Sequence, residues 1–202
     1  TLTSARTATV AAAGATVVGT MAAWALARSK SRVNTVIYGL MYSPVVVPLI
    51  VLAIGYYSFF VDLRMIGNWV FVALAYAVMG IPFVLVAVSS ALHHFDPELE
   101  NAARTLGAGP IRTLRFITFP RIATGIVSGA IFAFVVAFDE AVVILFVSGR
   151  GAITLPRKLW DSIRYDLTPS LAVAGTVLIA VVLLLFLLSE LLTSMRERKV
   201  ER

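Results

Sequence analysis

The chain has 202 residues, 59% of them hydrophobic and 14% charged, with a mean hydropathy of +0.92 and a formal net charge of +6. Soluble domains carry about 25% charged residues, so this composition excludes an ordinary soluble domain and indicates an integral membrane protein. The basic surplus does not mark a nucleic-acid binder, because the basic residues fall between apolar runs, and the lack of cysteine excludes disulfides and thiolate metal sites.

The opening stretch "TLTSARTATV" has neither an initiator Met nor a basic-then-apolar signal pattern. It is expected to begin inside a longer product. Five apolar runs then follow, at about 8–27, 36–60, 68–92, 121–148 and 169–194. Each reaches the roughly 20 residues that a membrane helix needs. Barrel strands need only about 9–11 residues and alternate in polarity, so the predicted fold class is all-α, a polytopic membrane helical bundle. Gly14, Gly19, Ala22 and Ala23 in the first run suit close helix packing. Pro44 and Pro48 in the second run, and Gly80 and Pro82 in the third, predict bends.

Connector charge predicts sidedness. Arg28, Lys30, Arg32, Arg104, Arg112, Arg115, Arg121, Arg196, Arg198, Lys199 and Arg202 fall on one side, eleven against six for Arg6, Arg64, Arg150, Arg157, Lys158 and Arg164. The richer side is expected to be cytoplasmic and to hold the C-terminus.

The connector at 93–120 reads "HHFDPELENAARTLGAGPIRTLRFITFP". Asp96 and Pro97 form a helix start, and Glu98 and Glu100 favour the first turn electrostatically. Gly107 predicts a helix end, and Gly109-Pro110 a second start. The expected structure is two short helices, the first at 97–106, with an apolar stripe suited to another protein's groove. His93 and His94 lack partners at metal-ligand spacing.

The fourth run contains "FDEAVVILFVSG", with Asp139 beside Glu140. A central carboxylate costs about 2.5–3.5 kcal/mol on the insertion scale. On one continuous helix the two acids would point about 100° apart. One is expected to line a solute route with its neighbour Phe138 and favour a cation, and the other to find a partner. Which acid does which is left open, as is a purely structural role for the pair at a gate or interface. Glu190, in the last run, is read as snorkelling or pairing with Arg196. In "GRGAITLPRKLWDSIRYDLTPS", Pro156 can open a short helix with Leu159, Trp160 and Ile163 on one face, Trp160 serving as an interfacial anchor.

The motif at Asn101-Ala102-Ala103, then Gly107, Ile117, Phe119 and Pro120, resembles the cytoplasmic signature of ABC-importer permeases: Glu-Ala-Ala, three residues, Gly, nine residues, Ile, one residue, Leu-Pro. Asn101 replaces the motif Glu and Phe119 the Leu. With "ITLPRKLWDSIRYDLTPSLAVAGTVLI" and the terminal "RERK", the chain is similar to the spermidine/putrescine permease branch of the type I fold. That resemblance implies a single permease domain over 1–202, with a family first helix preceding it. It implies a coupling segment that meets an ATPase through Glu98, Glu100, Asn101, Ala102, Ala103, Arg104, Leu106 and Gly107. It also implies an extracytoplasmic segment at 149–168, with Trp160, Asp161 and Tyr165 at an outer gate.

The partners so implied are a second permease subunit, as a heterodimer, two copies of an ATP-binding subunit that holds ATP and Mg, and an extracytoplasmic solute-binding protein. The location is the bacterial inner membrane. The chain has no Gly-x-x-x-x-Gly-Lys-Ser/Thr, so no cofactor and no catalysis are expected of it. A polyamine is the first expected solute; ferric ion, thiamine or organophosphonate are alternatives. An ion-coupled transporter or a structural membrane subunit are the competing readings.

Overall fold

In the computed structural model the described residues are 2–29, 31–149 and 151–165, then 172–173, 175–184 and 187. The helices in chain order are α1 (Leu2–Arg28), α2 (Val33–Val46), α3 (Leu49–Asp62), α4 (Trp69–His93), α5 (Glu98–Thr105), α6 (Pro110–Thr113), α7 (Phe119–Asp139), α8 (Val142–Val147) and α9 (Leu155–Tyr165). A π-helical turn, Leu114–Thr118, joins α6 to α7. The last described stretch contributes the apolar helix Gly175–Leu184.

Among the described residues, three helical stretches are long and apolar enough to cross a membrane: Leu2–Arg28, Trp69–His93 and Pro110–Asp139. They form the centre of the bundle, with α4 packed between α1 and α7. Small residues allow this approach. A Cβ on Gly19 would lie 2.7 Å from Val84 Cβ, one on Gly129 2.9 Å from Val84 Cα, and one on Gly125 2.6 Å from Ala91 Cβ. Val84, Leu85, Val88 and Ile122 are fully buried at these seams. Gly14 faces Ala77 at ordinary contact distance, and Ala23 is buried. Pro82 sits inside α4 without ending it.

Two expected spans are corrected. The run at 36–60 is not one helix: α2 and α3 meet at an angle of 102°. Pro48 has no amide hydrogen and pushes the residue before it out of helical geometry. Val47 accordingly lies at φ −72°, ψ 131° and Pro48 at φ −55°, ψ 133°. Two successive extended residues turn a kink into a corner. The bent pair counts as at most one further span, a fourth by length and composition. The run at 121–148 is also interrupted, at Glu140 (φ −65°, ψ 114°). Half of the fifth run, including Glu190, lies outside the described residues, as does Arg196.

The two ends of the bundle are distinct. At one end Arg28, α5 and Thr118 meet. At the other, Ser4 Oγ accepts from the Leu155 amide at 2.6 Å, Gly67 N donates to the Val147 carbonyl at 3.1 Å, and Arg6 lies 3.5 Å over the Trp69 ring.

Candidate functional site

The helix α5 is short because its boundaries are written locally. Asp96 Oδ1 accepts from the Glu98 amide at 2.9 Å at the start. At the finish Gly107 takes φ +85°. Its amide donates to the Arg104 carbonyl at 2.9 Å, and the Ala108 amide to the Ala103 carbonyl at 3.0 Å. Those two bonds and the left-handed glycine make a Schellman ending. Gly109 and Pro110 then open α6.

Glu98, Asn101, Ala102, Arg104, Leu106 and Gly107 are exposed, Leu106 at 89%. Ala103 is half-buried. Asn101 Nδ2 donates to Glu98 Oε1 at 3.3 Å, so this surface organises itself. Beyond the glycine bend, Ile111 and Phe116 are 80% and 64% exposed and line a shallow groove with Gly109, Pro110, Arg112 and Arg115. The result is a projecting helix followed by an apolar ledge.

Glu100 departs from this exposed set. It is 7% exposed and turns into the bundle. Arg28 Nη2 donates to its Oε1, and Thr118 Oγ1 donates to the same oxygen at 2.5 Å. Arg104 Nη2 lies 3.8 Å from its Oε2. Sequence reasoning does not place Arg28 or Thr118 in a site, and no local signal marks them.

The acids at the second candidate position separate cleanly. Asp139 is the last residue of α7 and is exposed. Glu140 is 7% exposed, and its Oε1 accepts from the amides of Val142 at 2.6 Å and Val143 at 2.8 Å. It therefore satisfies the first free donors of α8, as a cap does. Tyr76 Oη donates to the Glu140 carbonyl at 3.1 Å, so α4 holds the break in place. Phe138 is 7% exposed and stacks on Phe134 with ring centroids 5.6 Å apart, inside this chain's own core. The expectation that both acids ride one continuous helix is corrected. The sequence holds no clear signal for this break, since Glu is not among the usual residues before a helix start.

At the end bearing α9, Arg157 Nε bonds both oxygens of Asp161 at 3.1 and 3.0 Å, and Arg157 Nη1 donates to Ser148 Oγ at 2.8 Å. Trp160 is 39% exposed and Ile163 58%, so an apolar edge remains open. Arg164 lies 5.7 Å from the Trp160 ring centroid. Tyr165 is the last residue of α9. Thus Asp161 is held within its own helix and Trp160 is presented outward. His94 Nδ1 donates to the Ser90 carbonyl at 2.9 Å, a bond within the end of α4.

Among the described residues, a helical bundle of apolar membrane spans, two of them broken, with an amphipathic helix projecting at one end, has the architecture of an importer permease. The chain belongs to the family described as "Binding-protein-dependent transport system inner membrane component", which it matches over residues 15–202. It is therefore a multi-pass inner-membrane transport subunit.

Among curated relatives, the Haemophilus influenzae spermidine/putrescine transport system permease protein PotC is 32% identical over 180 residues, 89% of this chain and 70% of the relative. The Escherichia coli K12 putrescine transport system permease protein PotI is 32% identical over 179 residues, 85% of this chain and 64% of the relative. The Salmonella typhimurium sulfate transport system permease protein CysT is 29% identical over 200 residues, 91% of this chain and 72% of the relative. Among solved structures, a chain of the MetNI methionine ABC transporter in an inward-facing conformation superposes with a TM-score of 0.77 at 18% identity, covering 96% of this chain and 93% of that one. At that identity the likeness speaks to the fold.

Proposed function

We propose that this chain is the permease half of an ATP-driven importer for a polyamine such as spermidine or putrescine. The observation that carries the importer reading is α5: a helix fixed on its inner face, exposed on its outer face, and closed by a left-handed glycine. That arrangement suits insertion into a groove of a separate ATPase subunit. The chain would pair with a second permease of different sequence, two ATP-binding subunits that hold ATP and Mg, and an extracytoplasmic binding protein. The end bearing α5, with the C-terminus, would face the cytoplasm, in keeping with the charge of the connectors. The segment 93–120 would serve as the coupling loop and 149–168 as the outer gate and docking segment. Motion of the ATPase pair would rock the bundle between inward-open and outward-open states.

The polyamine choice rests on likeness to PotC and PotI and on the exposed carboxylate of Asp139 beside the break. Glu140 would maintain the break without touching solute, and Trp160, Asp161 and Tyr165 would shape the outer mouth. A second reading, a different solute on the same machinery, is favoured by the comparable likeness to a sulfate permease.

The test is reconstitution of the complete complex in proteoliposomes with radiolabelled spermidine, putrescine or sulfate. Polyamine uptake that requires hydrolysable ATP supports the proposal. Sulfate uptake would replace the solute while keeping the importer. Uptake without an ATPase subunit would overturn both.

A further inference from the structure

Glu100 forms a contact inside the bundle that a helix serving only as a docking surface does not need. Its carboxylate joins three parts of the chain: Arg28 at the end of α1, Thr118 immediately before α7, and α5 itself. Thr118 is fully buried, and the Glu100 side chain is 10% exposed against 27% for Arg28. Arg28 is held in turn, its guanidinium lying 4.8 Å from the centroid of the Trp24 ring on the preceding turn. On the same helix Glu98, Leu99, Asn101 and Ala102 are exposed. So α5 has an outward face for a partner and a charged tie behind it.

A charge-assisted bond is shorter and stronger than a neutral one, and it is stronger still where water is excluded. The tie also has direction. α1 and α7 belong to the three long central stretches, and both flank α4. A displacement of α5 acting through Glu100 reaches both at once. Without the carboxylate, α5 is held by its connections at His94–Pro97 and Gly107–Gly109 and by packing on α6 and the π-helical turn, next to the head of α7.

We propose that Glu100 is the positioning residue that latches α5 to α1 and to the head of α7, so that force applied to α5 moves the central helices instead of swinging the loop. This rests on the reading of α5 as the lever gripped by an ATPase. It adds that the neighbouring Asn101 can lack a carboxylate while the loop still transmits motion, because the inward tie is made by Glu100.

The experiment uses the complete reconstituted complex and reads solute transported per ATP hydrolysed, with uptake and phosphate release measured in the same vesicles. The variants are E100Q, R28Q, the double variant R28Q/E100Q, and T118V, which replaces a hydroxyl by a methyl of similar shape. The expected ratio falls on the order of fivefold in E100Q and R28Q, the range of a coupling contact. The double variant is expected to be no worse than E100Q, since both remove one contact. T118V is expected to fall about twofold.

A wild-type ratio in E100Q overturns the latch, and so do R28Q and E100Q effects that multiply in the double variant. A merely structural role would lower the yield of assembled complex while leaving the ratio of the assembled fraction unchanged, and that result also overturns it. If E100Q does not assemble, T118V decides: a reduced ratio supports the latch and an unchanged one overturns it. Failure of the wild-type chain to hold an ATPase subunit removes the lever reading itself, and is seen before any variant is compared.

Discussion

The Tyr76 hydroxyl donates to the Glu140 carbonyl across 3.1 Å, joining the N-terminal third of α4 to the break between α7 and α8. Tyr76 is 1% exposed, so no solvent replaces its hydrogen bond. Removing the hydroxyl leaves a carbonyl at a helix break unpaired in a dry place. Tyr76→Phe is expected to lower stability by about 1–3 kcal/mol. Thermal unfolding of the purified chain in detergent would show it as a lower midpoint, and an unchanged midpoint would mean that the break holds itself.

Asp139 and Glu140 are adjacent yet differ in surroundings, so substitution should separate them. Glu140→Ala removes the acceptor of two α8 amides and is expected to cost about 1–2 kcal/mol, the upper range of a lost cap. Asp139→Asn changes an exposed group and is expected to leave the stability within about ±0.5 kcal/mol of wild type. It should instead weaken uptake of a cationic solute. The opposite pattern, in which Asp139→Asn is destabilised while Glu140→Ala is stable but inactive, would exchange the two roles.

The legible parts of this molecule are those specified by near neighbours. Asp96-Pro97 and Gly107 to Pro110 act over three or four residues, and they place α5, its Schellman ending and the start of α6 close to where the structure has them. Pro48 is visible too, but a proline reads the same whether the chain bends or turns a corner. The choice is made by the extended geometry of Val47 and by what α2 and α3 pack on. The inward turn of Glu100 is hidden for a different reason: its partner Arg28 lies 72 residues away. Glu140 reads as a mid-helix acid because nothing near it is Gly or Pro and Glu is not a usual capping residue.

Close packing of the central helices should tolerate no growth at Gly125. A Cβ there would stand 2.6 Å from Ala91 Cβ and 2.8 Å from the Ala87 carbonyl oxygen, and that oxygen belongs to the α4 backbone, so the two helices must separate. Gly125→Val is expected to cost upward of about 1–3 kcal/mol as overpacking. Gly39→Ala, with nothing within 4 Å of the added atom, is expected to be neutral or slightly stabilising, since alanine is favoured over glycine in a helix by about 1 kcal/mol. Yield and unfolding midpoint of the two proteins, expressed side by side, check the pair.

Gly107 presents the reverse situation, in which space is free and conformation is not. Nothing lies within 4 Å of a Cβ built there, but φ is +85°. Left-handed geometry costs most L-residues about 1–2 kcal/mol, while Asn enters that region more readily. Gly107→Val should therefore leave the bundle folded, because the bend lies outside the buried helix seams. The strain would instead be relieved by unwinding the last turn of α5, where the Arg104 and Ala103 carbonyls accept their bonds. The expected outcome is a chain that still co-purifies with the proposed ATP-binding subunit while ATP-driven uptake falls by about 5–150-fold, on the order of 1–3 kcal/mol of coupling. Gly107→Asn distinguishes conformation from surface contact. It can keep the left-handed bend while adding a side chain to the exposed face. Uptake by Gly107→Asn well above that of Gly107→Val assigns the effect to the bend. Equal loss in both would assign it to a surface that the partner must approach closely, and the backbone argument for Gly107 would fail.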